Sequence, residues 1–458
     1  MRYAPRVQAI NPATGEPLAH YPEHDAATAA RMLETAGEAF VSWRRAPLAQ
    51  RAVLLGRAAQ LLRSGSAGFA RTMTLEMGKP IAAAEAEVEK CAWVCEYFAE
   101  HAAEFLSPTP VSSDARRSFV RYDPLGVVLA VMPWNFPFWQ LFRCAAPALM
   151  AGNVVALKHA ANVPGSALAI EKVFREAGFP PGAFTTLLVP SPGVAALIRH
   201  PAVAAVSLTG SEAAVAAVAA EAGREIKKTV LELGGSDPFV VLADADPSRV
   251  AEQAVAARTI NNGQSCIAAK RFIVEEPVAE AFEAAMVERM RALRLGDPLD
   301  RAVQLGPLAR ADLRDELHQQ VRRSVRAGAR LLAGGAVPEG PGFFYPATVL
   351  TRVVPGMPAF DEETFGPVAA IARARDAAHA VELANRSRFG LGASLWTGDP
   401  VRGESLAAEI EAGAVFVNGI VKSDPRLPFG GIKRSGYGRE LAREGIREFV
   451  NVKTVWVG

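Results

Sequence analysis

The sequence predicts an α/β protein of two or three domains built on parallel, doubly wound sheets. Three observations carry this expectation. The chain has 458 residues, too many for one compact core. Between Gly126 and Ala222, apolar strand-like runs alternate with helical stretches. A second alternating block extends from about Asp237 to Val417.

Taken in order, the first hundred residues read as helices. Asp25 caps a segment in which Leu33, Ala36 and Phe40 recur at helical spacing. Pro47 opens a second helix, with Leu54, Leu55, Ala58, Leu61 and Leu62 on one face and Gly65 near its end. Pro80 opens a third that reaches about Phe105. A Ser- and Pro-rich break, Ser107 to Asp114, leads into an extended ribbon, Arg117 to Tyr122. Gly126 to Met132, Val154 to Leu157, Phe184 to Val189 and Ala204 to Leu208 then read as buried strands. Helices near Pro164 to Ala177 and Ser211 to Ala222 lie among them, and such a sheet is the usual cradle for a dinucleotide. From about Asn418 the chain is Gly-rich, and it closes in a strand-like tail, Glu448 to Val457.

Composition excludes several function classes. Lys plus Arg number 50 and Asp plus Glu 48, so no basic field is present to hold nucleic acid through its phosphates. Met1 to Gly15 contains no apolar leader segment. The uncharged stretch from Pro124 to Phe142 approaches the length of a membrane span, but Pro133, Asn135, Pro137 and Gln140 interrupt it. It reads instead as a buried strand entering a turn. Four cysteines, Cys91, Cys95, Cys144 and Cys266, are too few for a disulfide framework. Cys91 and Cys95 read as core residues on one helical face, and no metal site is expected. A reducing cytoplasm fits this pattern.

Three residues carry candidate chemistry. Cys266 lies in the polar loop Gly263-Gln264-Ser265-Cys266, with Lys270 and Arg271 following. A thiol in an accessible loop near cations can act as a nucleophile; a structural thiol remains the other reading. Glu232 is a lone carboxylate at an apolar strand end, in Leu231-Glu232-Leu233-Gly234-Gly235. Burial there suits a general base, and an ion-paired strand-end Glu fits equally. Asn135 stands between two prolines in Met132-Pro133-Trp134-Asn135-Phe136-Pro137. An amide so held can donate to an oxyanion, although an Asx turn is the simpler reading of these residues alone.

Together the motifs are specific. MPWNFP, ELGG from Glu232, GQSC ending at Cys266, EETFGPV (Glu362 to Val368) and PFGGIKRSGYGRE (Pro428 to Glu440) occur in the order and approximate spacing of the aldehyde dehydrogenase superfamily. The resemblance begins at Asn11-Pro12-Ala13-Thr14-Gly15 and covers nearly the whole chain. It implies an aldehyde dehydrogenase-like fold: an atypical Rossmann NAD(P)-binding domain (1–105 and 125–235), an α/β catalytic domain (236–430), and a β-ribbon oligomerisation element with the C-terminal tail (106–124 and 431–458). It implies Cys266 as nucleophile, Asn135 with the Cys266 backbone N–H as oxyanion hole, and Glu232 as the base for deacylation. For NAD or NADP it implies Lys158 at the adenosine ribose and Thr209-Gly210-Ser211 at the pyrophosphate. Glu363 is implied at the nicotinamide ribose and Phe365 beside that ring, with Trp134 and Leu233 also in the cofactor site. The family lacks a GxGxxG fingerprint here, as does this chain. One departure is Val215, where a second glycine is usual in the pyrophosphate helix; a β-branched residue there is expected to crowd the phosphates.

The resemblance extends to the bacterial NAD(P)-dependent succinate-semialdehyde dehydrogenase subfamily, through Lys158-His159-Ala160, ELGGSDPF (Glu232 to Phe239), Ala269 to Ile273, Ala309 to Leu313 and Asp315 to His318. It implies a small aldehyde substrate, succinate semialdehyde, whose carboxylate meets Arg143 and Ser423, with Phe136 and Phe429 also lining the substrate site; a structural ion pair on a helix is the other reading of Arg143. A second Arg common in other succinate-semialdehyde enzymes is Ile260 here, with Arg258 two residues earlier. Many NAD-selective relatives carry a Glu where this chain has Ala161, so Lys158 and His159 are expected to leave a neutral to positive site that accepts either cofactor. A homodimer or homotetramer is expected. The alternatives are another carboxylated aldehyde such as glutarate semialdehyde, or a non-catalytic structural relative. A CoA-acylating relative tends to lack a Glu at the position of Glu232.

Overall fold

The structure is a computed structural model and describes residues 6–458. The first five residues of the stretch read for a leader, and of the expected first domain, lie outside the described residues. The apolar runs become strands of two largely parallel sheets. The first sheet has six strands in the spatial order Gly436–Tyr437, Lys228–Glu232, Val203–Thr209, Val127–Met132, Val154–His159, Phe184–Thr186. All are parallel except the two-residue strand Gly436–Tyr437, which pairs antiparallel with Lys228–Glu232 although it belongs to the Gly-rich tail. Val127–Met132 is buried along nearly its whole length because helices cover both faces of the sheet. The second sheet has seven strands, Arg330–Ala333, Thr348–Thr351, Val368–Ala374, Arg271–Glu275, Pro238–Val241, Gly392–Trp396 and Ala414–Val417. Only its edge strand Arg330–Ala333 is antiparallel.

The order of the first sheet creates the crevice that matters. Val127–Met132 pairs with Val154–His159 on one side and Val203–Thr209 on the other. Successive crossovers therefore leave the central strand in opposite directions. The loops after Met132 and after Thr209 diverge and open a cleft at the carboxyl ends of the strands.

Helix signals held where caps were explicit. Asp25 accepts a hydrogen bond from the Thr28 N–H (2.7 Å) and starts Ala26–Trp43. Pro47 precedes Leu48–Ser64, and Pro80 precedes the long helix Ile81–Phe105, in which Cys91 and Cys95 are fully buried. Two elements of the first hundred residues differ from the all-helical expectation. Arg6–Ile10 and Pro17–Pro22 form an antiparallel hairpin, and a further helix, Ser66–Met77, follows Gly65 directly. No helix of the described residues is long and apolar enough to cross a membrane.

The ribbon is a separate three-stranded sheet in which Val450–Val457 and Thr109–Val111 flank Arg117–Pro124, all antiparallel. Val450–Val457 forms one edge and exposes Val452 and Trp456. Asn153 joins this sheet to the first one. Its side-chain oxygen accepts from the Leu125 and Gly126 N–H groups (2.8 and 3.1 Å), and its amide donates to the Phe449 carbonyl (2.9 Å). Asn153 is fully buried, so truncation leaves two donors and one acceptor without partners. Asn153→Ala is expected to destabilise the protein by roughly 2–4 kcal/mol. An unchanged urea midpoint would show that this joint carries no energy.

Candidate active site

The diverging loops frame a cavity of about 790 Å³. Trp134 and Asn135 reach it from the turn after Met132, and Thr209, Gly210 and Ser211 from the turn that starts the helix Glu212–Arg224. Leu233, Cys266, Glu363 and Phe365 complete the set, which also includes Gln140. Nine residues singled out in the sequence thus meet around one space, from segments more than two hundred residues apart. Trp134 and Phe365 stand edge to face across 5.8 Å. Val215 is instead packed in the core, so its side chain does not line the cavity and the expected crowding is corrected.

The Cys266 loop is built from unusual backbone. Asn261 and Asn262 are left-handed (φ 55° and 59°), and Gly263 follows at φ 76°. A Cβ on Gly263 would come within 2.3 Å of Gly366 backbone atoms, so only glycine fits. Asn262 anchors the loop by donating to the Gly78 and Pro307 carbonyls (2.9 and 3.0 Å). Arg258, fully buried, donates to the Gly263 carbonyl (2.7 Å) and faces no substrate space.

Two expectations about Cys266 are corrected. The thiol is 9% exposed rather than freely accessible. Burial pushes it up to about 12, against the pull of Arg143 and Lys270, because a thiolate is poorly solvated there. Lys270 acts mainly on the backbone: its ammonium donates to the carbonyls of Ser265 (3.1 Å), Cys266 (2.8 Å) and Ala268 (3.1 Å). The same ammonium lies 3.6 Å from Glu363, whose carboxylate also accepts from the Gly235 N–H (3.1 Å). A Cβ on Gly234 would meet Glu363 Oε2 at 2.0 Å, which explains the glycine beside it. Asn135 Nδ2 donates to the Gln264 carbonyl (3.0 Å), so the amide sits against the Cys266 loop.

Glu232 ends its strand with 2% exposure, and neither carboxylate oxygen has a hydrogen-bond partner among the described residues. Burial holds its pKa well above the usual carboxylate range, opposed by Arg143 and reinforced by Glu440. Glu232 lies behind the cavity wall rather than on it.

Arg143 has partners inside the protein. It is fully buried, its Nε pairs with Glu440, and its Nη2 lies 4.0 Å from Glu232 and donates to Thr209 Oγ1 (3.3 Å). Its guanidinium stacks 4.6 Å from the Phe429 ring. Its charge is therefore met within the protein by Glu440, with Glu232 further off. Glu440, not singled out in the sequence, was visible there only as the last residue of the Pro428–Glu440 motif.

The remaining expected substrate residues lie nearby but off the cavity. Ser423 Oγ accepts from Trp139 Nε1 (2.9 Å) and from Lys90 Nζ (2.8 Å). Phe136 lies under the Lys79 ammonium, 4.3 Å from the ring centroid, and Lys79 pairs with Glu87. Glu87 also accepts from the Phe138 and Trp139 N–H groups (2.9 and 3.0 Å), fixing the start of the helix Trp139–Ala151. Lys79, Glu87 and Lys90 were not singled out in the sequence, where none of them stands in a motif. Lys158 is buried at the end of its strand, does not line the cavity, and is lowered by desolvation. His159 is corrected as a source of charge. Burial lowers it to about 4, and the Ala160 N–H donates to its Nδ1 (2.9 Å), leaving Nε2–H to donate to Pro137 (2.9 Å). This neutral imidazole pins the Asn135 turn.

The chain's similarities agree with this site. A family model described as the aldehyde dehydrogenase family matches residues 2–455. The succinate-semialdehyde dehydrogenase [NADP(+)] of Mycolicibacterium paratuberculosis is 52% identical over 456 residues, 99% of this chain and 97% of that protein. The succinate semialdehyde dehydrogenase [NAD(P)+] of Escherichia coli is 49% identical over 447 residues, 98% of this chain and 97% of that protein. The crystal structure of succinic semialdehyde dehydrogenase from Streptococcus pyogenes with NADP+ superimposes with a TM-score of 0.96 at 37% identity, covering 98% of this chain and 99% of that one. With a thiol, an amide and a carboxylate gathered at the crevice of a doubly wound sheet, and a match that runs almost end to end, this chain belongs to the aldehyde dehydrogenase family.

Proposed function

We propose that this chain oxidises succinate semialdehyde to succinate with NAD(P)+, through a thioester on Cys266. One observation carries the reading: Cys266, Asn135 and Glu363 line a single cavity together with the N-terminus of the helix Glu212–Arg224. The names of the half-identical relatives support the substrate and the choice of NADP+ or NAD(P)+.

The residues present fit a dinucleotide. The cavity volume suits a bound organic cofactor, and unpaired N–H groups at a helix start suit a pyrophosphate. Glu363 would hold ribose hydroxyls, Lys158 the adenosine ribose, and Trp134, Leu233 and Phe365 the space around the ring. When bound, the nicotinamide supplies the hydride acceptor. The protein's own groups do the rest. Cys266 Sγ adds to the carbonyl, and the Asn135 amide and the Cys266 N–H stabilise the oxyanion. Glu232, whose raised pKa makes it a stronger base near neutrality, takes the proton from the water that hydrolyses the thioester.

The same reading divides the chain into the cofactor, catalytic and oligomerisation parts at the boundaries expected above, with Gly436–Tyr437 lending an edge strand to the first sheet. It includes assembly through the edge strand Val450–Val457 as a dimer or a dimer of dimers, since an exposed apolar edge is a template for pairing. Four unpaired cysteines suit the cytoplasm.

Cys266→Ala is expected to abolish oxidation while leaving NADP binding, and Glu232→Gln to give at most a burst of reduced nicotinamide. Steady turnover at the wild-type rate in either variant, followed at the nicotinamide absorbance, would remove the assigned role. Ala161→Glu is expected to weaken NADP relative to NAD by about tenfold or more, because a carboxylate repels the 2′-phosphate; equal effects on both in a fluorescence titration would place the 2′-phosphate elsewhere. Light scattering is expected to give a dimer or larger species, and a monodisperse monomer would count against the edge-strand assembly.

A further inference from the structure

Charge is unevenly spread over the walls of the cavity. Four carboxylates line it, Glu212, Glu316, Glu362 and Glu363, against two guanidiniums, Arg310 and Arg388. Glu363 meets Lys270 (3.6 Å) and Glu362 meets Arg323 (2.7 Å), while Arg310 is held by Asp312 (2.6 Å). Arg388 differs because it shares one carboxylate with a second arginine. Its Nη2 lies 3.0 Å from Glu212 Oε1, and Arg434 Nε lies 3.3 Å from Glu212 Oε2. Two cations on one anion leave a positive surplus at this point, on a wall where acids outnumber bases.

The arginine pair is built into the fold. The Arg434 N–H donates to the Arg388 carbonyl (3.0 Å), so the two side chains leave the backbone from adjoining points. The Gly390 N–H donates to Ser435 Oγ (3.0 Å), and that hydroxyl donates to the Gly234 carbonyl (2.8 Å), which ties the pair to the cavity wall. Glu212 arrives from the opposite side as the first residue of the helix Glu212–Arg224. An acid in a first turn suits the helix dipole. Here it also stands beside Gly210 and Ser211 on the same cavity, where it repels any anion that enters. The Arg388 side chain is 53% exposed, so its ion pair is weakly held and open to exchange.

We propose that Arg388 changes partners. The diphosphate of a bound dinucleotide draws its guanidinium away from Glu212, Arg434 keeps Glu212 neutralised meanwhile, and Glu212 recaptures Arg388 as the cofactor leaves. Glu212 is thus a built-in competitor that sets how tightly, and for how long, the cofactor is held. This rests on the reading above that the cavity takes NAD(P). Neither residue takes part in bond making.

The test is a fluorescence titration of the full chain with NAD and with NADP, paired with stopped-flow dissociation. Arg388→Ala is expected to raise both Kd values by a similar factor, roughly 3- to 30-fold, as loss of a charge-assisted contact at a half-exposed site predicts. It should also flatten the dependence of Kd on salt. Glu212→Gln should act with the opposite sign, lowering both Kd values about 2- to 10-fold through slower dissociation. That gain should shrink when Arg388→Ala is also present, since no guanidinium is left to release. Arg388→Lys should keep part of the affinity as a point charge. A loss confined to NADP would assign Arg388 to the 2′-phosphate. Unchanged binding in Arg388→Ala, or weaker binding in Glu212→Gln, would make the ion pair purely structural. Any of these overturns the proposal while the cofactor reading stands. A wild-type chain that binds neither dinucleotide would overturn both.

Discussion

The geometry of the site depends on one buried ammonium. Lys270 is fully buried, where desolvation lowers its pKa against the pull of Glu363, and three loop carbonyls together with Glu363 replace its water. In return it fixes the backbone on both sides of Cys266 and leans on the Glu363 carboxylate. Left-handed Asn261 and Asn262 would be costly in a free loop. They persist because the Asn262 amide donates to the distant Gly78 and Pro307 carbonyls, Arg258 and Asn135 donate to the Gly263 and Gln264 carbonyls, and Gly263 lets the loop approach Gly366. Lys270 stands directly before the strand Arg271–Glu275, so the reactive loop is mounted on the sheet.

Around this loop, charge is arranged as a set of internal pairs. Arg143 sits between Glu440 and Glu232, and the two carboxylates differ in what they touch. Glu440 engages the guanidinium directly, and its backbone pairs with Phe429, which holds that ring against Arg143. Glu232 stays without hydrogen bonds among the described residues, 4.0 Å from the same guanidinium.

Much of this was legible in the sequence, for reasons that can be named. Val127–Met132 and Val154–His159 are apolar throughout because both sheet faces are covered, and Asp25, Pro47 and Pro80 are local signals that need no tertiary context. The hairpin Arg6–Ile10 and Pro17–Pro22 was missed because its second strand is largely exposed and carries no apolar alternation. The helix Ser66–Met77 was missed because Gly65 reads as the end of a helix, whereas the chain bends there and continues helical. The motifs found Cys266, Asn135 and Glu363, but not how deeply the thiol lies. Arg143 was located and its partner was not, since nothing in local periodicity connects it to Glu440 across almost three hundred residues.

The joint at Asn153 also sets a schedule. Its amide waits for the Phe449 carbonyl, 296 residues further along the chain. At about 5–20 residues per second, a ribosome needs ~15–60 s to supply that partner. The strand Arg117–Pro124 shares the delay, because its long neighbour Val450–Val457 is made even later. From the synthesis of Glu232 until that of Phe449, a nascent chain carries an open ribbon edge and an unfilled joint while every strand of the first sheet except Gly436–Tyr437 has already been made. Neighbouring nascent chains on one message present the same open edge, so crowding of ribosomes, rather than the stability of the finished fold, is the setting in which this architecture is most exposed to mispairing.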